Sequence, residues 1–226
     1  MQKEQHKLGT RLSDVILGGQ DGLVSILGLL LGLSAATRST TIVVAGGLAT
    51  IFAETLSMAA VAYTSRMADL DHYNAEKERE IREVEEVPDI ERQEIEEIYA
   101  KKGFHGKLLD DIVNHITSDH DLWIDTMMQD ELNLMPVEKN DVWGYAAVVG
   151  ISTFSGAMLP LIPYFFLSVR GALISAMVIS VIVLAGIGIY KANMTMGKPF
   201  KSALQMVLIG MGAAIAGYLI GLLFKK

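Results

Sequence analysis

The sequence predicts an all-α membrane protein with five transmembrane helices and a three-helix cytosolic insert between the second and the third. Five apolar runs are each long enough to cross a bilayer, which takes about 20 mostly apolar residues in a helix. A strongly charged segment with helical spacing separates the second run from the third, and no segment shows the alternation typical of strands. These observations predict a membrane-embedded bundle that carries one soluble helical domain.

Charge divides the 226 residues into two unlike parts. The segment from Asp69 to Asp141 holds 22 acids and eight Lys or Arg, a net charge of −14, whereas the other residues hold four acids and eleven bases, a net charge of +7. We therefore predict a soluble domain over residues 67–136, between membrane parts over 1–66 and 137–226. The absence of cysteine excludes disulfides, thiolate metal sites and thiol nucleophiles.

The first predicted span, Val15–Ala36, contains one acid, Asp21. A carboxylate at membrane depth is costly unless it is paired or faces water, so an intramembrane acid indicates a functional site. The alternative is that Asp21 lies among the lipid headgroups and only begins the helix. Gly18–Gly22 and Gly28–Gly32 have the GxxxG spacing that lets two helices approach closely.

The second span, Ile42–Ser65, contains Glu54 and, one turn later, Met58. Methionine in a membrane helix is usually a lipid-phase hydrophobe, but a second buried acid is harder to explain by packing. Two acids on successive spans near a thioether indicate a path for a metal ion or a proton. The last three spans are predicted at Val142–Leu167, Ala172–Tyr190 and Ala203–Phe224, the first of them interrupted by Pro160 and Pro163.

The distribution of basic residues predicts the orientation. Five spans put the termini on opposite sides, and the cytosolic side is the one with the excess of Lys and Arg. Outside the insert, the inner residues are Lys3, Lys7, Arg11, Lys191, Lys198 and Lys201, and the outer ones are Arg38, Arg170, Lys225 and Lys226. The N-terminus and the insert are therefore predicted to be cytosolic. The compact chain, without an N-terminal targeting extension, favours a prokaryotic plasma membrane, or a vacuolar membrane if the source is eukaryotic.

Three helices are predicted in the insert. The first, Met67–Val87, continues from the second span, and Pro88 begins the next helix because proline suits a first turn. That helix runs to Lys102 with Gly103 as its stop, and a third covers Lys107–Leu134.

Two pairs of glutamates in the insert, Glu80 with Glu83 and Glu91 with Glu94, are three residues apart and so share a helix face. Like charges at this spacing destabilise a helix unless a cation lies between them. A solvated acidic face is nevertheless the commonest outcome for such a run. The spacing alone leaves both interpretations open.

Met127 and Met128 lie about one turn before Glu131, and two thioethers beside a carboxylate suit a transition metal better than calcium or magnesium. Packing of a small helical core explains these methionines equally well. His115, Asp119 and His120 are weaker candidates for metal ligands, since the two histidines are five residues apart and lie on different faces of a helix.

Several functions are disfavoured by missing motifs. The chain has no Glu-x-x-His, whose paired copies build the di-iron sites of ferritin-like bundles, which argues against a membrane ferroxidase. It has no Walker A motif for nucleotide-driven pumping, and no basic domain or motif for nucleic-acid binding. We expect no enzyme activity and no organic cofactor.

The ordered set of motifs resembles the vacuolar iron transporter family. The resemblance rests on ILGGQDGLVSILGLLLGLS in the first span, AETLSMAAVAY in the second and a Glu-rich insert ending in TMMQDEL, and it covers nearly the whole chain. It implies a homodimer that exports Fe²⁺, and often Mn²⁺, from the cytosol in exchange for protons. The path would run between the first spans of two protomers, and the two GxxxG pairs of that span would then lie at the dimer axis. The sequence does not rank these ions against each other or against Co²⁺ and Zn²⁺.

The same resemblance assigns roles to particular residues. Asp21 and Met58 correspond to intramembrane metal-handling residues, and Asp14, two turns before Asp21, corresponds to an acid at the cytosolic entrance. The family's second intramembrane acid falls at Thr50, and Glu54, one turn later, is expected to replace it. The ligands of the family's cytosolic metal-binding domain correspond to Glu80, Glu83, Glu91, Glu94, Met127, Met128 and Glu131.

The predicted function is proton-coupled export of divalent iron, and of manganese, by a homodimer joined through its first span. The alternative is a membrane-anchored metal buffer or sensor that transports nothing. The insert would look the same under both hypotheses. Asp21 and Glu54 favour transport, because a simple anchor needs no acids within the membrane.

Overall fold

A computed structural model describes residues 6–137, 139–194 and 197–224, and the regular elements within those ranges are helical. In chain order the α-helices are α1 His6–Ala36, α2 Thr40–Glu86, α3 Pro88–Lys101, α4 Lys107–Thr117, α5 His120–Thr126, α6 Lys139–Leu161, α7 Val169–Met194 and α8 Pro199–Leu223. The contacts divide the chain into two units, which are described separately below.

The membrane unit comprises Met1–Tyr63 and Trp143–Lys226, and the insert unit comprises Thr64–Val142. Some basic residues behind the orientation prediction, namely Lys3, Lys225 and Lys226, lie outside the described residues.

Five helices are long and apolar enough to cross a membrane, which confirms the predicted number of spans. They are Ser13–Ala36, Thr40–Glu86, Val142–Phe165, Val169–Met194 and Pro199–Leu223. At about 1.5 Å per residue the 47 residues of α2 extend about 70 Å, more than twice the roughly 30 Å of a hydrocarbon core. Only its apolar first half therefore crosses the membrane, and the second half continues into the insert unit.

The core of the membrane unit forms around α1. Ile26, Leu27 and Leu30 are fully buried in one cluster with side chains from α2, α6, α7 and α8. The predicted interruption of the third span is confirmed, because α6 ends at Leu161 and a 3₁₀ turn follows over Ile162–Phe165.

The GxxxG glycines of α1 contact helices of their own chain, which overturns their assignment to a dimer axis. Gly18 and Gly22 face α6, and Gly28 and Gly32 face α8. A Cβ atom on Gly22 would collide with the backbone of Thr153, and one on Gly32 would lie 2.9 Å from the carbonyl oxygen of Gly217. Glycine spacing predicts a close helix contact correctly, but it does not say which helix makes it.

The insert unit contains the second half of α2 together with α3, α4 and α5. Pro88 begins α3 as predicted, and Gly103 ends it with φ of 98°, a conformation that glycine adopts without strain. Ile95, Val113 and Trp123 belong to its buried core. This unit therefore has a hydrophobic core of its own beneath its acidic surface.

The predicted third insert helix, Lys107–Leu134, is wrong as a single element. It is divided into α4, α5 and a π-helical turn over Met127–Glu131. The division occurs at Asp119, whose carboxylate accepts hydrogen bonds from the backbone N–H groups of Asp121 and Leu122, both at 3.1 Å. Such a cap satisfies the free N–H groups of a new helix and so favours a break in the chain direction.

Candidate functional site

Five predicted glutamates of the insert lie close enough to interact electrostatically. They are Glu80 and Glu83 on α2, Glu91 and Glu94 on α3, and Glu131 on the π turn, and we call them the glutamate cluster. Folding has thus brought three elements of the insert unit to one acidic site. It includes all five carboxylates that the sequence singled out there.

Two members of the glutamate cluster are buried although they are acids. Glu80 is 1% exposed and Glu91 is 4% exposed, and the Oε2 atom of each has no hydrogen-bond partner among the described residues. A buried carboxylate oxygen without a hydrogen-bond partner is costly for a folded protein. These two side chains are therefore suited to receive a cation or a proton.

The electrostatics of the glutamate cluster favour bound protons near neutral pH. Burial, together with repulsion from Glu94 and Glu80, raises the pKa of Glu91 to about 7. The pKa of Glu131 is raised as well, first by burial and then by Glu94. A divalent cation binding here would compete directly with protons for the same oxygen atoms.

The glutamate cluster is not a closed coordination cage. Across the described ranges, no three His, Cys, Asp or Glu side chains are arranged to hold a metal ion. Mutual repulsion of the carboxylates favours such an open arrangement. A metal ion would have to draw the side chains together by rotation about their χ angles.

The methionines of the π turn are buried in the core of the insert unit. Met127 is 0% exposed and Met128 is 1% exposed, and both pack in the same cluster as Ile95 and Trp123. This burial agrees with the interpretation that they fill a small helical core. Their role as metal ligands remains a prediction.

A hydrogen-bonded contact that the sequence did not reveal ties the π turn to the end of α3. Asp130 accepts a hydrogen bond of 3.1 Å from the Tyr99 hydroxyl and lies 2.6 Å from the Lys102 ammonium nitrogen. Since Asp130 precedes Glu131, this contact fixes the backbone that carries one member of the glutamate cluster. Tyr99 and Lys102 are 31 and 28 positions before Asp130 in the chain, so the local sequence gives no signal of this contact.

Arg79 is a second feature that the sequence analysis missed. Its guanidinium lies 3.3 Å from Glu83 and 3.8 Å from Glu80, both in the glutamate cluster, and 3.0 Å from Glu76. The spacing of three and four residues on α2 was a usable signal, because such pairs are neighbours on a helix surface.

In the membrane unit, the two predicted intramembrane acids lie near each other. Glu54 is half-buried on α2, and Asp21, exposed on α1, is close enough to repel its charge. The hydroxyl of Ser25, one turn after Asp21, donates a hydrogen bond to the Glu54 carboxylate. The other oxygen of that carboxylate, Oε2, is buried without a hydrogen-bond partner among the described residues.

The remaining predicted path residues are partly buried. Met58 packs beside a buried group formed by Ala62, Ala146 and Val149, as expected of an ordinary hydrophobe. Asp14 is half-buried near the start of the first span. Thr50 is also half-buried, one turn before Glu54 on the same helix.

The fold and these acids define a class, a multi-span membrane protein with two neighbouring acids on its first two spans and an acidic helical insert. Residues 12–222 match the model of the VIT family. The chain is 35% identical over 221 residues to Vacuolar iron transporter 1 of Eucalyptus grandis, covering 95% of this chain and 89% of that protein.

More distant relatives match over similar lengths. Vacuolar iron transporter 1 of Arabidopsis thaliana is 32% identical over 211 residues, 93% of this chain and 84% of that protein. Vacuolar iron transporter of Plasmodium falciparum is 30% identical over 234 residues, 99% of this chain and 86% of that protein. The chain belongs to the VIT family. It is therefore an integral membrane protein grouped with transporters and not with enzymes.

Proposed function

We propose that this chain exports divalent iron, and also manganese, from the cytosol in exchange for protons. The observation that carries the proposal is the coexistence of two acidic sites, the glutamate cluster in the insert unit and Asp21 with Glu54 in the membrane unit. The family and the names of the relatives support iron as the cargo.

The glutamate cluster captures the metal in this proposal. Its buried carboxylates provide hard oxygen ligands, and Met127 and Met128 provide thioethers that suit a transition metal. Raised carboxyl pKa values make capture reversible, because protons displace the metal as the local pH falls. The insert thus acts as a cytosolic reservoir that loads the membrane path through Asp14.

Within the membrane, Asp21 and Glu54 provide negative charge for a cation in a medium that solvates charge poorly. Each carboxylate holds either a proton or a share of the metal charge, so metal movement in one direction is coupled to proton movement in the other. Ser25 lies beside Glu54, and Met58 is one turn after Glu54 on the same helix. Coupling therefore requires no nucleotide.

A homodimer completes the path in this proposal. On α1 the residues Ser13, Leu17, Asp21 and Ser25 are exposed and four apart, so they form one stripe along the helix. A stripe that includes a carboxylate and hydroxyl groups is unfavourable against lipid. Pairing of two such stripes would shield them and enclose a polar path between protomers.

Flux into proteoliposomes tests the proposal directly. Purified protein is reconstituted, Fe²⁺ or Mn²⁺ is added outside, and uptake is followed with and without an imposed pH gradient. We expect saturable uptake that rises when the lumen is acidic and that acidifies the outer medium. Metal binding without flux would instead favour a membrane-anchored buffer or sensor.

A further inference from the structure

Arg79 places a permanent positive charge against the glutamate cluster. Its Nε atom is 3.3 Å from Oε2 of Glu83, and Nη2 is 3.8 Å from Oε1 of Glu80. Both carboxylates are predicted metal ligands. The guanidinium therefore binds oxygen atoms of the same two side chains that a metal ion would use.

A guanidinium cannot leave such a site by losing its proton, because arginine stays charged at every physiological pH. A metal ion that binds the oxygen atoms contacted by Arg79 must therefore displace the guanidinium physically. The side chain is 47% exposed, so it has room to move.

Glu76 offers Arg79 a partner outside the glutamate cluster. Its Oε2 atom lies 3.0 Å from Nη1, the shortest of the three ion pairs, and it is one turn before Arg79 on α2. Glu76 is not among the predicted metal ligands. Arg79 can thus remain paired when Glu80 and Glu83 turn towards a metal.

Resting on the proposed function, we propose that Arg79 is an internal counter-ion of the glutamate cluster that competes with the metal. Without metal it shares Glu80, Glu83 and Glu76, and it relieves part of the repulsion between the carboxylates. When a divalent cation binds, Arg79 moves wholly onto Glu76. The exchange lowers metal affinity and so promotes release from the insert.

The first test compares two arginines of α2. Arg79→Gln removes the competing charge, whereas Arg82→Gln removes the same charge from an exposed position that forms no ion pair with the described residues. The full-length protein in detergent is titrated anaerobically with Fe²⁺ by calorimetry. We expect Arg79→Gln to lower the Kd roughly fivefold and Arg82→Gln to change it less than about twofold.

Salt provides a second readout of the same competition. Ion pairs at the protein surface are screened as ionic strength rises. The difference between Arg79→Gln and Arg82→Gln should therefore shrink when salt is raised from about 0.05 M to about 0.5 M. If Arg79 has a purely structural role, Arg79→Gln will change the unfolding temperature of the metal-free protein. The ratio of the Kd values of Arg79→Gln and Arg82→Gln will then be the same at low and at high salt.

The second test uses Glu76, where the expected change has the opposite sign. Glu76→Gln leaves Arg79 on Glu80 and Glu83 alone, so the Kd for Fe²⁺ should rise about threefold. Glu78→Gln, exposed on the same helix, controls for the general loss of negative charge. In the Arg79→Gln background, Glu76→Gln should have no greater effect than Glu78→Gln.

The outcomes separate this inference from the proposed function. If the wild-type protein binds no Fe²⁺, both are overturned. If the wild type binds but Arg79→Gln matches Arg82→Gln, only the counter-ion inference is overturned. Should Arg79→Gln fail to fold, Arg79→Lys keeps the charge without the planar fork and should give a smaller fall in Kd.

Discussion

The carboxyl group of Glu91 makes metal binding by the insert depend on pH. Burial raises the pKa of Glu91 to about 7, so this group must lose a proton before it can bind metal near neutral pH. We expect the affinity for Mn²⁺ to fall as pH drops from about 8 to about 6, approaching tenfold per pH unit for each displaced proton. Calorimetric titration at several pH values measures the slope.

The raised pKa of Glu91 also predicts that the free energy of unfolding falls as pH rises, whereas the affinity for metal increases. Folding raises the pKa of Glu91 above its ordinary value of 4.5, so the folded state holds the proton more tightly than the unfolded state. The stabilising effect is complete below about pH 4.5 and is lost as pH rises through about 7. Glu91→Gln should weaken the pH dependence of the unfolding free energy, measured without metal, and the pH dependence of the affinity for Mn²⁺. If neither pH dependence changes, the raised pKa does not belong to Glu91.

Asp21 is the residue on which transport depends most directly. Asp21→Asn preserves shape but removes the charge and the titratable proton, so a cation in the membrane loses a counter-charge. We expect nearly complete loss of Fe²⁺ flux in proteoliposomes with normal yield and normal oligomeric state. Asp21→Glu retains the charge and should keep part of the flux. Normal flux through Asp21→Asn would place the residue among the lipid headgroups.

Glu54 should carry the role of the acid that is missing at Thr50. Its carboxylate interacts with Asp21 and Ser25, so it belongs to the same polar group. Residues 50 and 54 are one turn apart, about 6 Å along the helix axis. Glu54→Gln should cut flux severely, and adding Thr50→Glu should restore part of it. A Glu54→Gln protein with normal flux and lower stability would assign Glu54 a structural role.

At the scale of single elements, the break between α4 and α5 depends on one carboxylate. Asp119 caps α5 through Asp121 and Leu122, and a lost N-cap usually costs about 1 kcal/mol. Asp119→Ala should lower the unfolding free energy of the insert by that amount, and chemical denaturation monitored by circular dichroism measures it. Asp111→Ala, exposed within α4, removes an equal charge and should have a much smaller effect.

The number of spans and the two ends of α3 could be predicted because their signals are local. Pro88 and Gly103 act through backbone conformation, so they mark the ends of α3 in any surroundings. The break at Asp119 was missed although Asp is a common N-cap, since the apolar spacing continues across it. The π turn has no sequence signature at all, because its i→i+5 hydrogen bonds depend on packing.

The acids of the candidate site could be predicted from their spacing along single helices. The contacts between residues that are far apart in the chain could not. Glu80 and Glu91 stood out as members of acidic pairs on helix faces, but their burial follows from the folded insert. Asp130 with Tyr99 and Lys102 required the tertiary structure.

At the scale of the whole molecule, hydropathy and charge predicted a soluble insert over residues 67–136, and the compact insert unit of the structure covers Thr64–Val142. Apolar length decides which helices cross a bilayer, because the cost of exposing polar backbone leaves few alternatives. The sequence patterns do not determine which helices pack side by side. The same glycines on α1 serve equally well for a contact within one chain or between two, and the structure assigns them to α6 and α8.

The pairing of α1 with α8 has a consequence for synthesis. Gly32 of the first helix lies against Gly217 of the last, about 185 residues later in the chain. At ribosomal rates of about 5 to 20 residues per second, α1 enters the bilayer roughly 10 to 40 seconds before that neighbour exists. During this interval the glycine backbone at Gly28 and Gly32 faces lipid or the insertion machinery. The packing of the first helix is therefore completed only when the last helix has been made, and a chain that ends before α8 leaves this face of α1 uncovered.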